Sequence, residues 1–479
     1  MADSYTGLGT AAQMRDPDYT PAIHKAVPLG IQHVMAMFVS NVTPAIIVAG
    51  AAGFGFGSKS PHFGELLYMI QMSMLFAGVA TLLQTITIGP VGAKLPVVQG
   101  TSFAFLPIMI PLVAGKGVDA LPVLFGGVLV GGLFHALLGT VIGKIRFALP
   151  PLVTGLVVTL IGLALVKVGI EYAAGGVPAK KLPEYGSLLN WSAALVVIVV
   201  TLGLKFYARG MLAVSAILVG LVAGYIYAIA VGMLSVDSIV TSWNRAAVFA
   251  PPIPFKYGFE FSWAAVIGMC LMAFVSAVET VGDVSGITKG GAGREATDKE
   301  IQGATYADGL GTAVAGAFGG LPNTSFSQNV GLIAMTGVMS RHVVTFGALF
   351  LILCGLVPKV GAVIRTVPIE VLGGGVIVMF GMVVAAGISM LSDVDWNRRN
   401  MVIFAISLSI GLGLQLEPNA VQHLPWDSAR ILMTSGLLPA ALIAIVLNLI
   451  LPEHLSDEAT EEVTGGMAGH GKGSLPHDD

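Results

Sequence analysis

Leu321-Pro322-Asn323-Thr324-Ser325-Phe326-Ser327-Gln328-Asn329-Val330-Gly331 is the stretch that decides how this chain is read. Eight of its eleven residues are Pro, Gly, Asn, Gln, Thr or Ser, yet it lies between two strongly apolar segments. Pro322 has no N–H and pushes its neighbour towards extended geometry. Thr324 and Phe326 are residue types that favour strands. Hydrocarbon offers a broken backbone no partner, so such a segment survives at membrane depth only inside protein or beside a wet cavity. The stretch therefore predicts a short strand in a defective span, leading into a half-helix. Free N–H groups at the start of that half-helix, and the Gln328 amide, are expected to face a cavity. An amide offers donor and acceptor together, which suits a neutral or weakly anionic ligand with alternating N–H and C=O edges. The glycine of the stretch is expected to allow close helix packing.

The surrounding chain calls for lipid. Of 479 residues, 55% are hydrophobic and 11% charged, against about 25% charged in a soluble domain. With about 20 apolar residues per crossing, fourteen candidate spans cover 28–50, 64–88, 96–113, 119–142, 149–171, 190–206, 211–234, 262–283, 300–319, 325–338, 342–360, 367–391, 400–415 and 431–451. The two defective ones are 96–113 and 325–338. A net charge of −3 provides no basic surface for nucleic acid. Cys270 and Cys354 sit in apolar runs and read as packing residues, with no disulfide or metal site. Residues 1–27 are polar and read as a cytoplasmic N-terminal segment rather than a cleavable signal. Residues 453–479 read as a disordered cytoplasmic tail, with His470 and His477 solvated. Alternating the loops from a cytoplasmic N-terminus places 14 Lys and Arg inside and 10 outside, Lys59 falling outside and Arg146 and Lys472 inside. This bias supports two cytoplasmic termini.

The two halves echo each other. Phe38-Val39-Ser40 matches Phe274-Val275-Ser276, Thr101-Ser102-Phe103 matches Thr324-Ser325-Phe326, and Pro150, Gly155 and Gly169 match Pro368, Gly373 and Gly387. Three matches in the same order argue for a duplicated seven-span unit. Seven is odd, so the second copy must be inverted in the membrane. Inverted repeats with paired broken helices are a transporter signature, and the breaks point to the substrate site. The expected fold is an all-α polytopic membrane protein with 14 transmembrane segments in a 7+7 inverted repeat. Two short antiparallel strands cross in broken spans 3 and 10.

Ionisable groups inside a membrane are costly, so each is a functional candidate. Glu279, in the eighth span, can accept two N–H bonds from a planar heterocycle or carry a proton. The plainer alternative is a structural carboxylate bonded to a hydroxyl. Asp283 lies one turn later on the same face and reads equally well as structural. Asp308 opens the ninth span as a proton site or a bond that positions the tenth; a carboxylate favoured by the helix dipole is the alternative. His33 follows Gln32 and precedes Asn41 by about two turns, which predicts a polar seam supporting the binding side chains. Phe103 could stack on a flat ring, and Asn329 is expected to hold the loop through backbone bonds. No Walker loop, HExxH or GxSxG occurs, and the spans carry no nucleophile–base or metal cluster, so an enzyme is not expected.

Taken together, Gln328-Asn329-Val330-Gly331 with Thr336-Gly337, the block Glu279-Thr280-Val281-Gly282-Asp283, Asp308, Gln32-His33 and the run Gln99–Phe103 resemble the nucleobase–ascorbate transporters, also called nucleobase:cation symporter family 2. The resemblance spans roughly residues 20–455 and fits the family signature [Q/E/P]-N-x-G-x4-T-[R/G]. It implies a core domain from 28–145 (spans 1–4) and 260–362 (spans 8–11), and a gate domain from 146–235 (spans 5–7) and 363–452 (spans 12–14). It carries over Glu279 and Gln328 as side chains bonding the base, and Ser102 and Phe103 as contributors from the third span. His33 and Asp308 carry over as groups tied to coupling or site geometry. It further implies a homodimer in the cell membrane and an elevator-like movement of core against gate. Gln at 328 is similar to oxopurine carriers, where uracil permeases have Glu. Gln-Asn-Val-Gly departs from the common xanthine form and looks closer to urate carriers. The expected activity is proton-coupled symport of an oxopurine, xanthine or urate, with sodium as the other coupling ion to consider. A uracil or other nucleobase permease of the same family is the alternative. An anion exchanger or channel on the same seven-plus-seven fold is a further rival, which the acidic Glu279 disfavours.

Overall fold

The structure is a computed structural model that describes residues 8–55, 62–145 and 150–452. Lys59, Arg146, Lys472, His470, His477 and the expected tail 453–479 lie outside the described residues. The chain is mostly helical. The principal helices that fall in the expected spans are α1 (Ile23–Ala52), α2 (Phe63–Ile86), α3 (Leu106–Val113), α4 (Leu121–Leu138), α5 (Pro151–Ala173), α6 (Leu188–Tyr207), α7 (Ala216–Ala230), α8 (Trp263–Ile287), α9 (Asp298–Ala317), α10 (Ser327–Thr336), α11 (Arg341–Leu356), α12 (Ile369–Leu391), α13 (Arg398–Leu416) and α14 (Leu437–Ile450); the helix Val236–Arg245 lies between two of those spans. Two three-residue strands, β1 (Gln99–Thr101) and β2 (Asn323–Ser325), precede α3 and α10. Among the described residues, eight helices are long and apolar enough to cross a membrane, or up to ten if two bent pairs each make one crossing.

Local sequence sets the helix starts. Ser187, Ser262, Thr297, Ser340 and Asn397 cap α6, α8, α9, α11 and α13 by accepting an N–H from the first turn. At α9 the cap is reciprocal, since Glu300 also accepts the Thr297 N–H at 2.8 Å. Three spans expected to be single helices are interrupted. In 211–234 the helix breaks at Ser215 between Met211–Val214 and α7. In 342–360 the chain turns by 77° after α11 into Pro358–Arg365. Pro358 has no N–H to continue α11 and instead opens the next helix. In 431–451 the helix Asp427–Thr434 meets α14 at 79°, turning through Gly436 at φ 72°, where a Cβ would be strained.

Glycine seams hold the long helices together. A Cβ on Gly162 would meet Val384 and Phe380, one on Gly169 would meet Ile377, and one on Gly373 would lie 2.2 Å from the Ala173 nitrogen. Numbers rise along α5 as they fall along α12, so the two run antiparallel. The α4–α9 pair repeats the arrangement: a Cβ on Gly132 would lie 2.4 Å from the Ala313 nitrogen, and one on Gly309 2.0 Å from the Ala136 nitrogen. Gly331, the glycine expected to bring helices close, instead faces open space. The close packing belongs to the long helices.

Packing partners come in matched sets. Helix α2 packs on α11, and α9 on α4; α1 packs on α11, and α8 on α4. Likewise α6 packs on α7, and α13 on α14; α12 packs on α6, and α5 on α13. Each of these contacts thus has a counterpart seven helices on.

The Gly309–Ala136 contact is backbone to backbone and has no flexible side chain to move aside. Gly309→Leu is expected to destabilise the protein by about 3 kcal/mol or more, read as a lower melting temperature and lower yield of folded protein in detergent. Gly331→Leu, facing open space, should leave the melting temperature within about 2 °C of wild type.

Candidate functional site

The site grows from β1 and β2. They pair antiparallel with Gln99 opposite Ser325, Gly100 opposite Thr324 and Thr101 opposite Asn323. The ladder extends at both ends, where the Ser102 N–H donates to the Pro322 carbonyl at 2.8 Å and the Phe326 N–H to the Val98 carbonyl at 3.0 Å. Side chains from the helices serve the outward edges. The Gln99 N–H donates to Thr81 Oγ1 on α2 at 2.9 Å, and the Asn323 N–H to Thr312 Oγ1 on α9 at 2.9 Å. Asn41 of α1 accepts the Thr101 N–H at 2.8 Å and donates to the Ser73 carbonyl at 3.1 Å. All these residues are buried. The expectation of two short antiparallel strands, each opening a half-helix, matches the arrangement found.

Three carboxyl groups stand beside the strands. Asp308 does not open α9, as expected from the sequence; the helix begins at Asp298, so Asp308 lies mid-helix and completely buried. The sequence between is polar, with Asp298, Lys299, Glu300 and Gln302, and helix formation there follows from the cap at Thr297. Helix-dipole stabilisation at an N-terminus therefore does not account for Asp308. Instead its Oδ1 accepts from Gln84 Nε2 at 2.9 Å and from Gln99 Nε2, and its Oδ2 accepts from Thr280 Oγ1. Asp283 accepts from Ser325 Oγ at 2.6 Å and Ser327 Oγ at 2.7 Å, tying α8 to β2 and to the first turn of α10. The Glu279 carboxylate forms no hydrogen bond among the described residues and faces a cavity. None of the described ion pairs involves the three acids. Like charges this close in a poorly polarisable interior repel strongly, so the hydroxyl and amide donors carry the task of holding them.

The polar seam expected from His33 to Asn41 is divided. His33 meets Asn329, whose Nδ2 lies 3.0 Å from His33 Nδ1 and donates to the His33 carbonyl at 3.0 Å. Asn41 serves β1. The two residues are eight apart on α1 and reach different partners. Asn329 thus holds its half-helix through a backbone acceptor, as expected, though that acceptor belongs to α1.

A cavity of about 550 Å³ lies between the strands and the helices α5, α12 and α14, within the usual size for a small-molecule pocket. Its polar wall includes Ser102, Glu279, Asp283 and Gln328, and Phe103 lines it with its ring set at 86° to that of Phe380, 5.3 Å away. Its apolar wall comes from residues such as Val157, Met379 and Leu442. His33, Asp308 and Asn329 lie behind this surface. Gln84, Thr81, Thr312 and Thr280, which bond the strands or Asp308, were not singled out from the sequence. Their only signal was a hydroxyl or amide inside an apolar span, which is common. Among the described residues no group of three His, Cys, Asp or Glu could hold a metal. Cys270 and Cys354 are free thiols.

Many apolar helices around a pocket with an acidic wall and two helix breaks define a multi-pass membrane protein. Residues 24–419 match the permease family Xan_ur_permease, and the chain belongs to that family, the nucleobase–ascorbate transporters. It is 34% identical over 444 residues to the uric acid permease PucJ of Bacillus subtilis, covering 92% of this chain and 95% of that one. It is 34% identical over 441 residues to the xanthine permease XanQ of Escherichia coli, covering 90% and 92%. The transmembrane domain of the cyanobacterial bicarbonate transporter BicA has a similar fold, with a TM-score of 0.55, 16% identity, and coverage of 89% of this chain and 98% of that one. Murine Slc26a9, an anion transporter, has a similar fold at a TM-score of 0.57 and 14% identity, covering 89% and 68%.

Each threonine clamp holds an N–H that would otherwise be buried without a partner. Thr81→Val and Thr312→Val are each expected to cost about 1–3 kcal/mol of local stability. Hydrogen exchange read by mass spectrometry checks this. Because the strands share one ladder, either substitution should lower protection in the peptides covering both β1 and β2. Loss confined to the strand next to the mutation would contradict the shared ladder.

Proposed function

We propose that this chain carries an oxopurine nucleobase, urate or xanthine, across the cell membrane by proton-coupled symport. The observation that carries the reading is the pairing in one cavity wall of an unbonded carboxylate, Glu279, with the amide of Gln328. A carboxylate accepts two N–H groups and an amide both donates and accepts, which matches the alternating edge of an oxopurine. Phe103 adds a flat apolar surface for the ring and Ser102 a hydroxyl. The names of the relatives, a uric acid permease and a xanthine permease, agree with this chemistry.

In this reading the chain crosses the membrane fourteen times as two inverted units of seven spans, with both termini in the cytoplasm, and works as a homodimer. The matched packing sets support the repeat: exchanging each helix for the one seven places along turns the α2–α11 contact into α9–α4. Thr81 and Thr312 support it too, since they clamp the first residues of β1 and β2 in the same way. The core comprises 28–145 and 260–362 and the gate 146–235 and 363–452, and the substrate travels with the core along the gate. The cavity is bounded by strands of the proposed core and helices of the proposed gate, as an elevator mechanism requires. The proton resides on Glu279 or Asp308. Asp283, His33 and Asn329 hold α10 in register with α8 and α1, and so position Gln328. Proton and substrate shift the balance of states only through their different affinities for each. The anion transporters of similar fold, at 16% and 14% identity, share the fold alone and lend this chain no substrate.

The direct test is uptake of radiolabelled urate, xanthine and uracil into vesicles with and without an inward proton gradient. Urate or xanthine should accumulate with the gradient and not without it; uracil preferred over both would contradict the role given to Gln328. In a second measurement, Glu279→Gln is expected to weaken substrate binding about tenfold or more, ~1.4 kcal/mol. Unchanged affinity together with unchanged gradient dependence would remove Glu279 from the site.

A further inference from the structure

The repeat makes the two halves comparable residue by residue, and one serine breaks the symmetry. Ser40 and Ser276 occupy matching places in Phe38-Val39-Ser40 on α1 and Phe274-Val275-Ser276 on α8. Ser276 donates to Thr324 Oγ1 on β2 at 2.9 Å. Thr324 is the residue after the clamped amide of Asn323. In the ladder the counterpart of Thr324 is Gly100 rather than Thr101, one place off the sequence match: Gly100 follows the clamped amide of Gln99 and lies opposite Thr324. Gly100 offers Ser40 no hydroxyl, and it has no room for a side chain: a Cβ there would lie 2.3 Å from the Phe326 ring and 2.7 Å from the Met37 methyl. The partner that holds Ser276 therefore has no equivalent for Ser40.

Ser40 is 2% exposed, lines the cavity and points its hydroxyl across to Met379 Sδ on α12 at 3.4 Å. A thioether is a weak acceptor, and a ring nitrogen or carbonyl of a heterocycle is a stronger partner. We infer that Ser40 is a further substrate-contacting residue, whose hydroxyl leaves Met379 to hydrogen-bond a polar atom of the bound oxopurine ring. This rests on the functional reading given above. It adds a contact from α1 to those from α8, α10 and the segment after β1, on the side of the cavity nearest α12. The Met379 contact also joins the two helix groups, so bound substrate takes up the hydroxyl that otherwise bridges them.

The test is calorimetric titration of the purified protein with xanthine, urate, hypoxanthine and uracil, alongside thermal melting. With the wild type binding at least one of them, Ser40→Ala should raise the Kd about fivefold. The melting temperature of the ligand-free protein should stay within about 1 °C, and the rise on adding ligand should shrink. A Kd within about twofold of wild type overturns the inference and leaves the functional reading standing. A lowered ligand-free melting temperature with unchanged Kd also overturns it, since Ser40 would then be structural. If the wild type binds none of the four, the functional reading fails and this inference fails with it.

Discussion

Strands β1 and β2 leave their helices at a depth where water is scarce, and every N–H and C=O they release must find a partner in protein. The strands pair with each other, and the outward N–H groups of Gln99, Thr101 and Asn323 go to three helix side chains, Thr81, Asn41 and Thr312. The rest of the site follows from that pairing. It fixes where α3 and α10 begin, and so aims Phe103 and Gln328 at one cavity. It also fixes the spacing of α2 and α9, which flank the ladder, and α9 is itself packed on α4 through Gly309 and Gly132. Close helix packing and strand pairing are thus one constraint: a bulky residue at Gly309 would move the very helix that supplies Thr312.

The acid cluster depends on the same framework. With no ion pair to Lys or Arg among the described residues, Asp308 and Asp283 are held by five hydroxyl and amide groups, two from the strands and three from α2, α8 and α10. Gln99 reaches Asp308 from β1, and Ser325 reaches Asp283 from β2. A change in charge at either acid is therefore felt directly by a strand as well as by the helices that bond it. Glu279, one turn from Asp283 on α8, also lines the cavity and is the acid left without a hydrogen bond among the described residues. Donors hold two of the acids in place, and the third keeps its acceptor capacity.

The paired breaks were legible because Pro322 and a run of amides and hydroxyls stand out sharply from apolar flanks. Glu279, Asp283, Gln328 and Phe103 likewise stand out in the sequence, and Ser102 through the family resemblance; the structure brings all five into one cavity wall. What could not be read depends on three-dimensional convergence. A lone Thr81 or Gln84 in an apolar helix resembles any other small polar residue until its partner on a remote strand is known. Hydropathy begins near Asp308 and so points to a helix start there, whereas the capped polar turn before it forms helix without being apolar. The bends before Pro358 and at Gly436 were missed because their flanks are apolar enough to read as continuous spans. His33 and Asn41 share a helix, and their separation into two networks follows from which face each turns outwards.

The ladder has a consequence for how the chain is made. Its two strands are roughly 220 residues apart in sequence, so at about 5–20 residues per second the ribosome delivers β2 some ten to forty seconds after β1. During that interval the first half of the chain has the Thr81 clamp and Asn41 but no strand to complete its ladder. A nascent chain with an unpaired edge is the form most prone to aberrant association. The insertion machinery must therefore shelter this half-built site until its counterpart arrives, and neither half is expected to mature by itself.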